Sequence, residues 1–262
     1  MSKNKQKGIK GSSGRDTDRS WTLSRSQIKW LALLLMTCNH FSEIFLKGNG
    51  VGYELLRGLG YFTAPVMCYL LVYSYQYTSS VKRYALRLLG FALLSQGAFN
   101  LALAGGFRRF IGLNMFFSLL LGVLILHLKY YLAPGALQTL LLAGCFFLSV
   151  FCDWPLLAPA MVWVFDRQRE GRLSEGKTWF FVMGSFLILF WGAENTAGRS
   201  PLELALSCVL ALSGIVLAWW IITRHYDPKK EQLARLPNAR WTFYVYYPLH
   251  LLVLAGLHRL VG

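Results

Sequence analysis

The chain reads as an all-α polytopic membrane protein, a helical bundle of about nine transmembrane helices. Three observations predict this. Of its 262 residues, 55% are apolar and only 15% are charged. Apolar runs near 20 residues recur almost to the C-terminus, a pattern foreign to a soluble domain of this size. The positive charge falls unevenly on alternate connecting segments, as the positive-inside rule requires of a multi-pass protein.

The elements follow in order. Residues 1–27 are rich in Lys, Arg, Ser, Gly and Asp and nearly free of large apolar groups. Such a segment cannot bury enough surface to fold alone, so a disordered cytosolic tail is expected ahead of one transmembrane domain, 28–262. It does not read as a cleaved signal peptide, because its polar lead is too long and no small-residue cleavage site follows the apolar core. Ser2 excludes the myristoylation pattern. Spans are expected at 28–46, 55–77, 84–104, 111–132, 136–152, 154–166, 178–193, 202–223 and 241–261. The sixth is short and holds Pro155 and Pro159, so a re-entrant segment with eight crossings stands as the alternative. No internal repeat is present.

The net charge of +15 invites a nucleic-acid reading, which its distribution excludes. With nine spans and the N-terminus inside, 21 of the 27 Lys and Arg lie on the inner side. Lys47, Arg57, Arg108, Arg109, Arg199 and Arg259 lie outside. The charge therefore orients the chain in a cell (inner or plasma) membrane with its N-terminus cytosolic, and the lipid bilayer is its first partner. The cysteines Cys38, Cys68, Cys145, Cys152 and Cys208 sit in or beside apolar spans without ligand spacing. They read as small hydrophobes, and no metal is expected.

The first span carries the sharpest chemistry. Lys29 and His40 are eleven residues apart, which places them about 20° apart around a helix and about 16 Å apart along it. An ionisable group in mid-bilayer is a functional candidate by default. A neutral imidazole at His40 can take the proton from an amine or hydroxyl attacking a carbonyl. Lys29 at the cytosolic mouth can hold phosphate. The plain alternatives are a snorkelling lysine and a helix-packing histidine. Glu43, three residues on, either orients the imidazole or is a solvated rim charge. Gln96 and Asn100 share a helix face, and Asn114 opens the fourth span; they either lock the bundle or line an acyl or acceptor cavity. Asp153 either caps the next helix, with Pro155 in its first turn, or acts in catalysis. In the last span the aromatics from Trp241 to Tyr247, among them Tyr244, fit an interfacial belt. Pro248 breaks the local ladder, and His250 is a second intramembrane histidine, read either as packing or as part of the site. No glycine-rich phosphate loop, zinc spacing or nucleophile elbow is present.

The chain carries, in order, Ile28–Met36 with His40, Leu59-Gly60 through Pro65, Tyr84–Leu88 with Arg87, Ser95-Gln96, Leu113–Gly122, Cys152-Asp153-Trp154, and Phe243–Leu251. In their order and spacing, over most of 28–252, these stretches resemble the TraX family of membrane acetyltransferases. That family includes the enzyme that acetylates the N-terminus of F-type pilin. The first span also resembles the Lys/Arg-ten-residues-His pattern of integral-membrane acyltransferase family three. The resemblance implies His40 as general base, Lys29 as its helper and an acyl-CoA donor. With the residues read above, the candidate site is His40, Asp153 and His250 for catalysis, Lys29 and Arg87 toward acetyl-CoA, and Asn39, Gln96, Asn100, Asn114, Tyr244 and Tyr247 around the substrate. The acceptor it implies is a pilin-like or secreted peptide, or a cell-envelope glycan.

The chain also departs from the family pattern. Asn39-His40 replaces the usual Asp-His, Gly60-Tyr61 the usual Gly-Arg, and Asp153-Trp154-Pro155 the usual Asp-Tyr-Gly. Two rival readings stand beside the enzyme: a transporter-like protein, and a catalytically inactive relative supported by Asn39 and Tyr61.

Overall fold

The computed structural model describes residues 21–48, 50–195, 200–227 and 239–261. The first 20 residues of the expected tail, Arg199 and most of the basic 224–240 loop lie outside them.

Helix α1 (Arg25–Phe41) starts ahead of the expected span because Ser24 and Gln27 form a capping box. The Gln27 N–H donates to Ser24 Oγ at 3.3 Å and the Ser24 N–H donates to Gln27 Oε1 at 2.9 Å, satisfying two orphan donors. The helix runs on as a π-turn, Ser42–Leu46. The expected second span is two helices, α2 (Gly50–Gly60) and α3 (Thr63–Gln76). Pro65 supplies no N–H to the Tyr61 carbonyl, and its ring crowds that carbonyl. The chain turns tighter there: Tyr61 N–H donates to Gly58 O and Phe62 N–H to Leu59 O.

Helix α4 (Val81–Ala104) is capped by Ser80 and stops at Gly105, whose φ of 72° suits glycine. Asn114 caps α5 (Met115–Tyr131). Then come α6 (Ala136–Leu148) with a 3-10 turn Ser149–Phe151, α7 (Leu157–Arg169), α8 (Glu175–Asn195), α9 (Pro201–Trp220) with a π-turn to His225, and α10 (Ala239–Val261). The chain forms α10 straight through Pro248 rather than breaking there. Among the described residues, four stretches are long and apolar enough to cross a membrane: Gly50–Gln76, Val81–Ala104, Glu175–Glu194 and Pro201–His225. The fold is all-α, with two isolated bridges as its only extended pairing among the described residues.

Five helices close a ring, α1–α3–α5–α4–α10 and back to α1. Around it, α2 packs on α1 and α9, α9 on α8, α8 on α7, and α7 on α3 and α5, while α6 covers α5. The α2–α9 crossing is backbone to backbone: a Cβ on Gly58 would overlap the Leu210 carbonyl, and one on Gly214 would overlap the Gly58 carbonyl. The two bridges clip the bundle. Leu23 N–H reaches His225 O at 2.7 Å, and Leu113 N–H reaches Phe151 O at 2.7 Å. A charged clamp joins α5 to α7, where Lys129 Nζ lies 2.5 Å from Asp166 Oδ2 and 3.0 Å from Glu170 Oε2.

Candidate active site

The buried stripe of α1 is Ile28, Ala32, Leu33, Met36 and His40. His40 therefore faces the ring interior, where α10 brings His250 against it. His40 Nδ1 lies 2.8 Å from His250 Nε2, and the rings are 19° from coplanar. His250 Nδ1 lies 3.0 Å from the Tyr246 carbonyl oxygen. A carbonyl can only accept, so His250 carries its proton on Nδ1 and its Nε2 is an acceptor. His40 Nδ1–H must then be the donor between the rings. In neutral His40 this leaves Nε2 unprotonated, and it has no hydrogen-bond partner among the described residues. The pair is a relay that ends in one available lone pair.

His40 lines a cavity of about 410 Å³ with Met36, Asn39, Tyr61, Asp153 and Tyr247. The Tyr247 hydroxyl is buried there without a partner among the described residues. Asp153 does not cap α7 as the sequence suggested. Leu156 takes the N-cap position without a side-chain cap. The Asp153 backbone is tied down instead, its N–H donating to Leu113 O at 2.6 Å and its carbonyl accepting from Ser118 Oγ. This leaves the carboxyl group in the cavity wall with no ion pair among the described residues. The connection onward is strained. Trp154 and Leu156 hold φ of 64° and 59°, a region that costs a side-chain-bearing residue about 1–2 kcal/mol.

A second cavity of about 180 Å³ lies at the other end of the same five helices. Lys29 and Arg87 line it together, with Ser74, Thr78, Tyr84 and Tyr244. Successive turns of one helix serve the two cavities: Thr63 and Met67 on α3, Met115 and Leu119 on α5, Tyr247 and Tyr244 on α10. Phe116, 1% exposed, stands between them, edge-on to Tyr247 at 5.0 Å and stacked on Tyr244 at 5.6 Å. A cationic chamber and a histidine chamber thus share one axis across an aromatic partition.

Three expected pocket residues are elsewhere. Gln96, Asn100 and Asn114 line neither cavity. Gln96 Nε2 donates to Asn100 Oδ1 at 3.0 Å and Gly112 O at 2.8 Å, and Asn114 Nδ2 donates to Gln96 Oε1 at 2.9 Å and Ala92 O at 2.8 Å. Such mutually satisfied amides lock α4, α5 and the loop between them. Glu43 does not orient His40 either. It accepts from Tyr53 Oη at 3.0 Å and pairs with Arg57 at 3.1 Å.

A family model described as "TraX protein" matches residues 24–258. The chain belongs to the TraX family. It is also 27% identical over 249 residues to the probable fimbrial assembly protein FimC, serogroup H1, of Dichelobacter nodosus, covering 91% of this chain and 97% of that protein. No solved structure matches it.

The departures from the TraX pattern have local reasons. The tight turn at Tyr61 leaves the Arg57 carbonyl without its helical donor, and Asn39 Nδ2 supplies one at 2.9 Å. A carboxylate at 39 has no proton for that bond. Gly60 leaves room for the contact, since a Cβ there would overlap Asn39. Tyr61 stands where the TraX arginine is expected, and Arg57, one turn earlier, lies 5.8 Å from its ring. Arg57 also pairs with Glu194 at 2.8 Å. The sequence reading missed this outer network, although two charges beside apolar spans, Arg57 and Glu194, were a visible signal for it.

Proposed function

We propose that this TraX-family protein is an integral-membrane acetyltransferase that passes an acetyl group from acetyl-CoA to the amine of a pilin-like or secreted peptide. The carrying observation is the relay that ends in the His40 Nε2 lone pair inside a cavity. Lys29 and Arg87, with the nearby hydroxyls of Ser74 and Tyr84, are a donor set suited to phosphate, so that chamber takes the donor. The donor's acyl end reaches the histidine chamber when Phe116 and its tyrosine neighbours part.

The chemistry follows from proton positions. The acceptor docks as an ammonium beside Asp153, gives one proton to that carboxylate, which passes it to solvent as product leaves, and attacks the thioester carbonyl as the neutral amine. His40 Nε2 takes the second proton, shed on attack. The imidazolium so formed is supported through Nδ1–H by His250, whose ring is held by the Tyr246 carbonyl. Tyr247, with an uncommitted hydroxyl, is positioned to donate to the developing oxyanion. Collapse of the adduct breaks the C–S bond, and His40 returns the proton to the leaving thiolate. Asp153 favours an ammonium-bearing acceptor over a neutral hydroxyl. The relative named for fimbrial assembly supports a peptide over a glycan. The positive-inside charge pattern supports about nine crossings of the inner membrane with Lys29 at the cytosolic face.

The test is purified protein in detergent with radiolabelled acetyl-CoA and a peptide bearing a free α-amino group. Acetyl transfer to that amine by the wild type, lost in His40→Ala, is expected. Equal transfer by His40→Ala, or transfer to glycan hydroxyls alone, would overturn the reading.

A further inference from the structure

We propose that the acceptor enters sideways from the bilayer, as an apolar peptide segment led by its α-ammonium group, through a portal between α2, α7 and α8. This rests on the acetyl-transfer reading above. A cavity of about 360 Å³ opens on the outer surface of the helix bundle and shares Tyr61, Asp153 and Trp154 with the His40 cavity. Those three side chains form the wall between the two spaces. Trp154 sits edge-on to Tyr61 at 5.5 Å and stacks on Phe186 at 5.9 Å, so the wall is aromatic contact rather than covalent structure. Trp154 in this wall and Leu156 in the adjoining floor are the two non-glycine residues with positive φ among the described residues. Strain of this kind collects at switching and binding segments.

The chemistry of the portal selects its occupant. Its outer floor is Val150, Leu156 and Leu189, which are 49%, 40% and 41% exposed, a surface for an apolar chain. Its inner end is the Asp153 carboxyl, without a cation among the described residues, which suits an ammonium. An aminophospholipid would bring a phosphate as well. The cation that lines the portal is Arg57, already engaged by Glu43 and Glu194. The balance of charge therefore favours a peptide amine over a lipid headgroup.

The experiment uses the full-length protein in proteoliposomes with two probes: an apolar peptide of about 20 residues, long enough to lie in the bilayer, and a water-soluble peptide of its first four residues. Leu189→Trp fills the portal floor without touching His40 or Asp153. It is expected to lower kcat/KM for the long peptide about tenfold or more while leaving the short peptide unchanged. A photoreactive residue at position 189 is expected to crosslink to the long peptide. The crosslink reports entry independently of catalysis, so an inactive wild type that still crosslinks overturns acetyl transfer and leaves the portal standing. Absent crosslinking, equal effects on both probes, or crosslinking to aminophospholipid in place of peptide would overturn the portal.

Discussion

At the scale of single residues, the site turns on where one proton sits. The Tyr246 carbonyl fixes the tautomer of His250, and that tautomer in turn fixes which nitrogen of His40 is free. Nitrogen-15 NMR of histidine-labelled protein should show His250 protonated on Nδ1, and an Nε2–H tautomer would dismantle the relay. His40→Ala should lower acetyl transfer about 100-fold or more, the scale of a lost general base. His250→Phe keeps a ring in place and removes the acceptor, so it should lower kcat with little change in donor KM. Lys29→Ala should do the reverse and raise the donor KM. The sequence made each of these residues visible, because an ionisable group in an apolar run stands out. It did not show the His40–His250 bond, which joins positions 210 apart. Nor could it show that Asn39 serves the Arg57 carbonyl, since that orphan exists only because Pro65 tightens the chain near Tyr61.

At the scale of elements, apolar run length located most helices well, and proline and capping chemistry decided the rest. The fourth helix ends at Ala104 as read, whereas the second span splits at Tyr61 and thereby turns that ring toward the cavity. Close packing at α2–α9 was not legible, because a glycine in a helix looks the same whether it faces lipid or backbone. Gly214→Val should destabilise the protein by about 1–3 kcal/mol through overpacking, seen as a lower melting temperature in detergent. Gly256→Ala, with open space around it, should not, and equal melting of the two variants would argue against the crossing. The α5–α7 clamp gives a pH prediction. Burial alone would raise the Glu170 carboxyl, but hydrogen bonds from Lys129 and Tyr130 and the Lys129 charge outweigh it and hold the group below its usual range. A depressed carboxylate stabilises the fold fully above its unfolded pKa and loses that contribution as pH falls through the folded value. Acid melting curves should therefore flatten in Glu170→Gln, and an unchanged acid sensitivity would remove Glu170 from the clamp.

At the scale of the whole molecule, the five-helix ring explains why Lys29 and His40 share a helix face yet lie in different chambers. Their separation along α1 was legible from residue spacing, but the partition depends on Phe116, an apolar residue with no signal of its own. Under the proposed acetyl transfer, two chambers at opposite ends of one axis make the chemistry vectorial: donor from the Lys29 side, product on the other. Proteoliposomes of one orientation separate this from a site reached from a single face. Acetyl-CoA supplied on the Lys29 side should yield acetylated peptide, and the same concentration supplied only on the Lys47 side should not. Side is set independently by labelling single cysteines at Lys82 and Lys47 with an impermeant reagent. The proposed orientation puts Lys82 on the cytosolic face. Should donor from either side serve equally, Phe116 is no barrier and the two cavities act as one; should donor serve only from the Lys47 side, the assignment of Lys29 and Arg87 to phosphate fails while the histidine relay remains.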